Sequence, residues 1–339
     1  MKLIKVFFIS FFLVFLMVLI PHLGFKPSKM VSPSIKKVDV WDNIQPKLKQ
    51  KPGNYKLKRQ LFPTVSAASD YENANAYVVT DFDSGEVIAS KNLSDKFPMA
   101  SLTKVMTAVV ALDLASLDEE FTVSEKAARQ IPTKVMLEAG EKYTLQELLD
   151  ASLISSANDS TQVIKEGIDA KYKEEVFLKA MNEKARILGL KNTHFTNPQG
   201  FDNQAHYSSV EDLAILSQYA MENYPAIAKI VALDIKDLTR NGEDMRFYLQ
   251  NWNGLMGVYP GVRGVKIGNT DYAGVCTIVL SEREGKKVLV VVLGAPGVLE
   301  RDFWASQLLD LGFTSLGLNP INTTEEQLKE RYAMWRYFE

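Results

Sequence analysis

The strand-like segments of this chain fall near its two ends, and that placement restricts the fold more than any other feature. Near the front, Ala76–Asp81 (AYVVTD) and Glu86–Ser90 (EVIAS) flank an FDSG turn ending at Gly85. Apolar, β-branched runs around a glycine turn predict a hairpin. Near the end, VCTIVLS (275–281) and KVLVVVLG (287–294) flank Glu284-Gly285, a second hairpin of two apolar strands. Between them, Val105, Val109, Leu112 and Leu114 carry helical spacing, and residues 119–191 read as mostly helical, with loops around Pro132 and Gly140. Residues 302–312 resume helical spacing through Phe303, Leu308, Leu309 and Leu311. Strands at both ends with helices between are satisfied by one sheet assembled from distant segments, carrying a helical insertion. The expected class is mixed α/β (α+β).

Composition narrows the function. The chain has 339 residues, 46% hydrophobic and 24% charged, which excludes a mainly disordered, collagenous or multi-span membrane protein. The net charge of −2 hides an asymmetry: residues 1–60 hold twelve Lys/Arg against Asp39 and Asp42, while the rest holds 27 basic and 39 acidic side chains. An acidic main body argues against nucleic acid as a partner, because phosphate binding needs clustered positive charge. Cys276 is the only cysteine, so an internal disulfide and a Cys-based zinc site are excluded. With only His22, His194 and His206 available, metal hydrolysis is a poor starting point, and no metal is expected.

Lys2 and Lys5 precede an apolar run, Val6–Ile20, broken only by Ser10. Fifteen residues of helix reach about 22 Å, short of the ~30 Å hydrocarbon core. Extension from Leu3 to Phe25 is long enough but includes Pro21 and His22. Residues 1–25 therefore read as a membrane anchor or a signal peptide, although no A-x-A-like cleavage site follows closely. The preceding lysines favour an inside N-terminus and an exported bulk. Residues 26–68, with five prolines and recurring lysines, read as a solvated basic linker. The main domain is expected over 69–317. The tail 318–339 reads as a short helix with Tyr332, Trp335 and Phe338 spaced by three, packing on the main domain.

Three short motifs carry possible chemistry. Ser101-Leu102-Thr103-Lys104 is S-x-x-K at the start of a helix-like run. Residues i and i+3 share a helix face, and the helix N-terminus favours a deprotonated oxygen and a neutral lysine. A hydroxyl nucleophile with an amine to take its proton is what a Ser/Lys hydrolase needs. Ser156-Ala157-Asn158 supplies S-x-N, and Lys266-Ile267-Gly268 supplies K-x-G shortly before the last hairpin. Each motif alone is weak: S-x-x-K recurs at Ser34–Lys37, S-x-N at Ser90–Asn92, and K-x-G at Lys51–Gly53 and Lys165–Gly167. Their order is the informative part. Read plainly, Ser101 is a helix cap, Asn158 a loop residue and Lys266 a surface charge.

The flanking sequence resembles the penicillin-binding-protein type D-alanyl-D-alanine carboxypeptidases, low-molecular-mass serine peptidases of bacterial cell walls. The collinear blocks are FPMASLTKVMTA, VSEKAA, GEKYTLQELL, SSANDST, THFTNPQGFD (193–202) and GVRGVKIGNTDYAG (261–274). The match that includes them runs from about Ala76 to Gly317, about 70% of the chain. The resemblance implies a β-lactamase/transpeptidase-like fold: an antiparallel sheet flanked by helices, with a helical lobe carrying Ser156 and Asn158. It implies that Ser101 attacks the carbonyl between two D-alanines of a peptidoglycan stem peptide, with Lys104 as general base. Ser156 would relay a proton to the leaving amine with Lys266 assisting, and Asn158 would hold the peptide amide. Backbone N–H groups of Ser101 and of a residue on the strand after Lys266 would form the oxyanion hole. β-Lactams should acylate the same serine, and no cofactor is needed. His194 and His206 have no role in this scheme and read as structural.

The chain departs from the family where the substrate carboxylate is expected. The third motif usually reads K-T-G, and here Ile267 replaces the threonine. A lost hydrogen bond to a charged group is worth about 1.5–3 kcal/mol. Counting two residues beyond Gly294, where many members carry an arginine, gives Pro296. Arg263 and Thr270, with Gly268 and Asn269, are the substrate-binding candidates. An apparently missing clamp raises two alternatives: an endopeptidase of peptidoglycan cross-links, and a non-catalytic wall-binding homologue. A class A β-lactamase is not expected, because no E-x-x-L-N deacylation motif is recognisable.

Overall fold

The computed structural model describes residues 39–51, 55–59, 69–239 and 246–335. The chain divides after Asp39 into two units, and the described structure lies in the second but for Asp39 itself. The apolar run Val6–Ile20 expected to be an anchor or signal lies outside the described residues, as does Phe338. Among the described residues, no helix is long and apolar enough to cross a membrane.

The strands are β1 (Lys58–Arg59), β2 (Ala76–Asp81), β3 (Glu86–Lys91), β4 (Glu120–Thr122), β5 (Lys142–Thr144), β6 (Ile235–Thr239), β7 (Arg246–Gln250), β8 (Val262–Thr270), β9 (Gly274–Arg283) and β10 (Lys286–Ala295). The two end hairpins join in one six-stranded sheet ordered β1-β3-β2-β10-β9-β8. The join is the antiparallel pairing of β10 with β2, from Val288↔Asp81 to Leu293↔Ala76. All pairs are antiparallel except β1 with β3. Glu284 and Gly285 both take positive φ, 50° and 74°, as a two-residue turn matched to strand twist requires.

Strand β10 shows how both faces are buried. Leu289, Val291 and Leu293 enter one apolar layer, and Val288, Val290 and Val292 the other, the two-residue period of a pleated strand. The first layer is covered by α1 (Val40–Leu48), α2 (Lys104–Leu114), α4 (Leu145–Ile154), α5 (Asn158–Tyr172), α6 (Phe177–Leu188), α7 (Val210–Asn223) and α8 (Pro225–Val231), with the short α3 (Glu125–Ala128) at the lobe. The second is covered by α9 (Val298–Ser315) and α10 (Glu325–Ala333). The expected antiparallel sheet with flanking helices is what forms.

The linker expected over 26–68 differs in its described part. Residues 40–48 are helical, and Ile44 and Leu48 are fully buried in the core. Val40, Ile44 and Leu48 recur every four residues, which puts them on one helix face; prolines and lysines around them mask that period. Lys184, itself buried, donates to Leu48 O at 2.7 Å and pairs with Asp113 at 2.7 Å, so the C-terminal carbonyl end of α1 meets a cation. Lys51 and Tyr219 add further bonds between this segment and α7.

Candidate active site

Ser101 sits on a 3-10 turn, Ala100–Thr103, that runs into α2. Lys104 is the first residue of α2, and its Nζ lies 2.8 Å from Ser101 Oγ, 2.8 Å from Asn158 Oδ1 and 2.9 Å from Gln199 O. The lysine is fully buried. Burial, then the nearby charge of Lys266, hold its pKa well below the ordinary lysine range, with Asp159 opposing. Two of its three neighbours are carbonyl oxygens, which only accept. In the neutral amine they consume both N–H bonds and leave the lone pair facing Ser101 Oγ.

The S-x-N motif fills the turn between α4 and α5. Ser156 holds a left-handed backbone (φ 61°) and Asn158 starts α5. Asn158 Nδ2 donates to Ile131 O at 3.1 Å, and its backbone N donates to Thr133 O at 2.7 Å. Asp159 fixes the same loop by accepting from the backbone N–H of Val135 and Leu137.

Strand β8 brings the third motif alongside Ser101. A Cβ on Gly268 would stand 2.6 Å from Ser101 N and 3.0 Å from Ala100 Cβ. The glycine of K-x-G is thus the condition for the strand and the Ser101 turn to touch. Lys266 is buried, donates to Ile267 O at 3.1 Å, and is pushed down to about 7 by burial and by the positive charge of Arg301.

Ser101, Ser156, Asn158, Ile267, Asn269 and Thr270 line one cavity of about 780 Å³. The structure thereby gathers the candidate residues, with two differences in the expected carboxylate clamp. Thr270 lines the cavity, but its hydroxyl donates to Asp202 Oδ1 at 2.6 Å and accepts from Ala273 N at 3.1 Å, closing the turn after β8. Arg263 is outside the cavity lining: half-exposed, it pairs with Glu282 on β9 at 2.9 Å. At about 3.3 Å per residue it sits four positions, or about 13 Å, back along the strand from Ile267, and β8 is irregular between Val262 and Val265.

The cation that does line the cavity is Arg301, seven residues beyond Gly294. Counting along the strand passes it by, because the chain leaves β10 at Ala295 and enters α9 at Val298. The first turn of that helix carries Arg301 to the cavity. Its Nε and Nη2 each donate to an Asp302 carboxylate oxygen at 2.7 Å, and Nη2 also donates to Trp252 O at 2.9 Å. Nη1 has no hydrogen-bond partner among the described residues. Trp252 and Trp335 line the same cavity and were equally out of reach of motif reading. An Arg-Asp pair in the first turn of the helix after the last strand is the signal that could have found it.

His206 lies behind the turn that carries Ser101. Its Nδ1 accepts from Thr196 N at 3.1 Å, which assigns the proton to Nε2 and makes Thr103 Oγ1, 2.8 Å away, the acceptor. Thr103 in turn donates to Ala100 O at 2.8 Å. Burial lowers His206 to about 4. His194 Nδ1 lies 2.6 Å from Ala205 O on an exposed face. Among the described residues, no group of three or more His, Cys, Asp or Glu is arranged to hold a metal.

Fold and site together define a serine peptidase of the β-lactamase/transpeptidase-like class. The family described as D-alanyl-D-alanine carboxypeptidase matches residues 64–297, and the chain belongs to that family. It is 34% identical over 274 residues to the D-alanyl-D-alanine carboxypeptidase DacF of Bacillus subtilis strain 168, covering 78% of this chain and 69% of the relative. Among solved structures, the Streptomyces K15 DD-transpeptidase is similar with a TM-score of 0.66 and 27% identity, over 71% of this chain and 97% of that one. Penicillin-binding protein D2 of Listeria monocytogenes, solved in an ampicillin-bound form, is similar with a TM-score of 0.60 and 29% identity, over 71% of this chain and 97% of that one. The enzyme is a serine D-Ala-D-Ala carboxypeptidase and a penicillin-binding protein.

Proposed function

We propose that Ser101 is the nucleophile of this carboxypeptidase and Lys104 its general base. The observation that carries the reading is the buried amine of Lys104, placed 2.8 Å from Ser101 Oγ with its other two contacts on carbonyl oxygens. Ser101 Oγ attacks the carbonyl of the penultimate D-Ala, and its proton passes to Lys104 Nζ. The C–N bond then breaks, and the leaving amine takes a proton through Ser156 with Lys266 assisting. Water hydrolyses the acyl-enzyme, so the products are D-Ala and a stem peptide shortened by one residue. The N–H groups of Ser101 and of Asn269, on the strand after Lys266, face the developing oxyanion; such donors contribute about 10²–10³-fold each.

Arg301 is the grip on the terminal carboxylate. An arginine edge paired with a carboxylate is a charge-assisted bond, and Nη1 is the edge that Asp302 and Trp252 leave free. This removes the motive for the endopeptidase alternative, which rested on a missing clamp. In the free enzyme Asn158 is engaged with Lys104 and Ile131, so holding the substrate amide requires exchange of the bond to Ile131 O.

The substrate is a cell-wall peptide, and the run Val6–Ile20 after Lys2 and Lys5 supports export. Residues 1–25 act as membrane anchor or signal, and the catalytic body works in the envelope outside the cytoplasmic membrane. Carbonate extraction of membranes from cells making the full chain tests this: retention indicates an anchor, release a cleaved or absent one.

The mechanism is tested by D-Ala release from a peptide ending in D-Ala-D-Ala. Ser101→Ala should reduce the full-length enzyme by at least about 10³-fold. Retained turnover would contradict the assignment.

A further inference from the structure

The tail after the last sheet helix is built to a fixed position. Thr324 and Gln327 cap α10 reciprocally, which starts a helix firmly. Leu328 is fully buried in the outer apolar layer, and Arg331 pairs with Asp234. Beyond this anchor the chain reaches the active-site cavity. Tyr332 donates its hydroxyl to Asp302 Oδ2 at 2.9 Å, the oxygen that also receives Arg301 Nη2. Burial and the Asp302 carboxylate push this hydroxyl well above the ordinary tyrosine range, so it stays a donor.

Trp335 follows. Its ring lies 5.4 Å from that of Trp252 at 80°, and 4.7 Å from that of Tyr332. Trp252 and Trp335 line the cavity that also holds Ser101 and Arg301. The Trp335 indole N–H is buried without a hydrogen-bond partner among the described residues, and buried donors are rarely left so. Gly254 makes room for the arrangement: a Cβ there would stand 2.3 Å from Asp302 Oδ2 and 2.6 Å from Tyr332 Cε1.

We propose that the turn Tyr332–Trp335 is a specificity element of the active site, holding the Asp302–Arg301 pair in place and limiting the side chain of the D-residue that leaves. The inference rests on the reading of Arg301 as the carboxylate grip. Tyr332 is a positioning residue that acts through Asp302: with Asp302 fixed, the guanidinium presents Nη1 to the ligand in one orientation. Trp335 acts by size. With Trp252 it walls the cavity beside Arg301, where the side chain next to a gripped carboxylate must lie, so a methyl group fits and a branched chain meets the indole.

Three peptides identical but for their ends separate the possibilities: one ending in D-Ala-D-Ala with a free carboxylate, its C-terminal carboxamide, and one ending in D-Ala-D-Leu. The full-length enzyme is compared with Arg301→Leu, Tyr332→Phe and Trp335→Ala. Arg301→Leu should lower the carboxylate-to-carboxamide preference in kcat/KM by about ten- to a hundredfold. Tyr332→Phe should lower the same preference by about fivefold, through KM more than kcat. Trp335→Ala should raise the D-Leu-to-D-Ala ratio by about tenfold, with Trp335→Phe intermediate. A merely structural lesion lowers all three peptides together. If Arg301→Leu abolishes the carboxylate preference while the tail variants keep both ratios at the wild-type value, the specificity role is overturned. If Arg301→Leu leaves the preference intact, the reading of Arg301 fails first and the tail inference with it.

Discussion

At the Ser101 end of the cavity, proposed to hold the nucleophile, Ser101 and Lys104 are three positions apart on one turn, and S-x-N and K-x-G touch them with groups whose types the motifs already name. At the Arg301 end, proposed to grip the carboxylate, Trp252, Arg301, Asp302, Tyr332 and Trp335 converge from three separate segments, none bearing a recurrent motif. The difference is physical. Proton transfer requires atoms within hydrogen-bond reach of one another, and a helical turn supplies that at fixed short spacing. Gripping a leaving group requires only a donor and a wall at the right place in space, which any segment folded to that place can supply.

The sharpest way to break the comparison is to damage each end and ask which kinetic constant moves. Lys104→Met, near in volume but without the amine, should lower kcat/KM for the D-Ala-D-Ala peptide by at least about 10³-fold, about 4 kcal/mol. The loss should fall on kcat. Arg301→Leu should act mainly on KM, by about 1.5–3 kcal/mol. Steady-state kinetics with both variants that showed the reverse split would collapse the distinction between the two ends.

His206 sharpens the nucleophile side. Its folded pKa is lowered from 6.5 to about 4, so between those values the unfolded state binds the proton first. Stability is complete above about pH 6.5 and falls as pH drops towards 4, by at most about 3 kcal/mol. Urea unfolding at pH 7 and pH 4.5 should show this loss, and His206→Gln should flatten it. An unchanged slope in the variant would mean that the Thr103–Ala100 brace does not depend on a neutral imidazole.

The smallest effect is expected at Ile267. Were the threonine of the usual motif the missing half of the clamp, Ile267→Thr would restore about ten- to a hundredfold. With Arg301 in the cavity, the gain in turnover should stay within about fivefold. A larger gain would mean that the hydroxyl position, rather than Arg301, dominates carboxylate binding.

Much of the frame was legible from the sequence. The hairpins at Gly85 and at Glu284-Gly285 follow from turn chemistry between apolar strands, and their placement at opposite ends pointed to one sheet; that β2 and β10 make the join came from the structure. That Ser101, Lys104 and Asn158 meet was legible because the motifs define them by type and spacing. Three features were not. Helix α1 shows its Val40, Ile44, Leu48 stripe over only nine residues, too short a period to stand out among prolines and lysines. Arg301 was missed because a residue count assumes that the strand continues, and the chain turns into α9 instead. Thr270 and Arg263 had suitable donors, but partners from elsewhere in the fold, Asp202 and Glu282, engage both. Side-chain type is written in the sequence, whereas its availability is decided by tertiary neighbours.

The central claim is that Ser101, activated by the buried Lys104, forms a covalent acyl-enzyme. Intact-mass measurement of the full-length protein after incubation with benzylpenicillin, beside Ser101→Ala, tests it most directly. One adduct per wild-type chain and none on the variant is the expected result. An unmodified, folded wild type, or an equal adduct on Ser101→Ala, would contradict it.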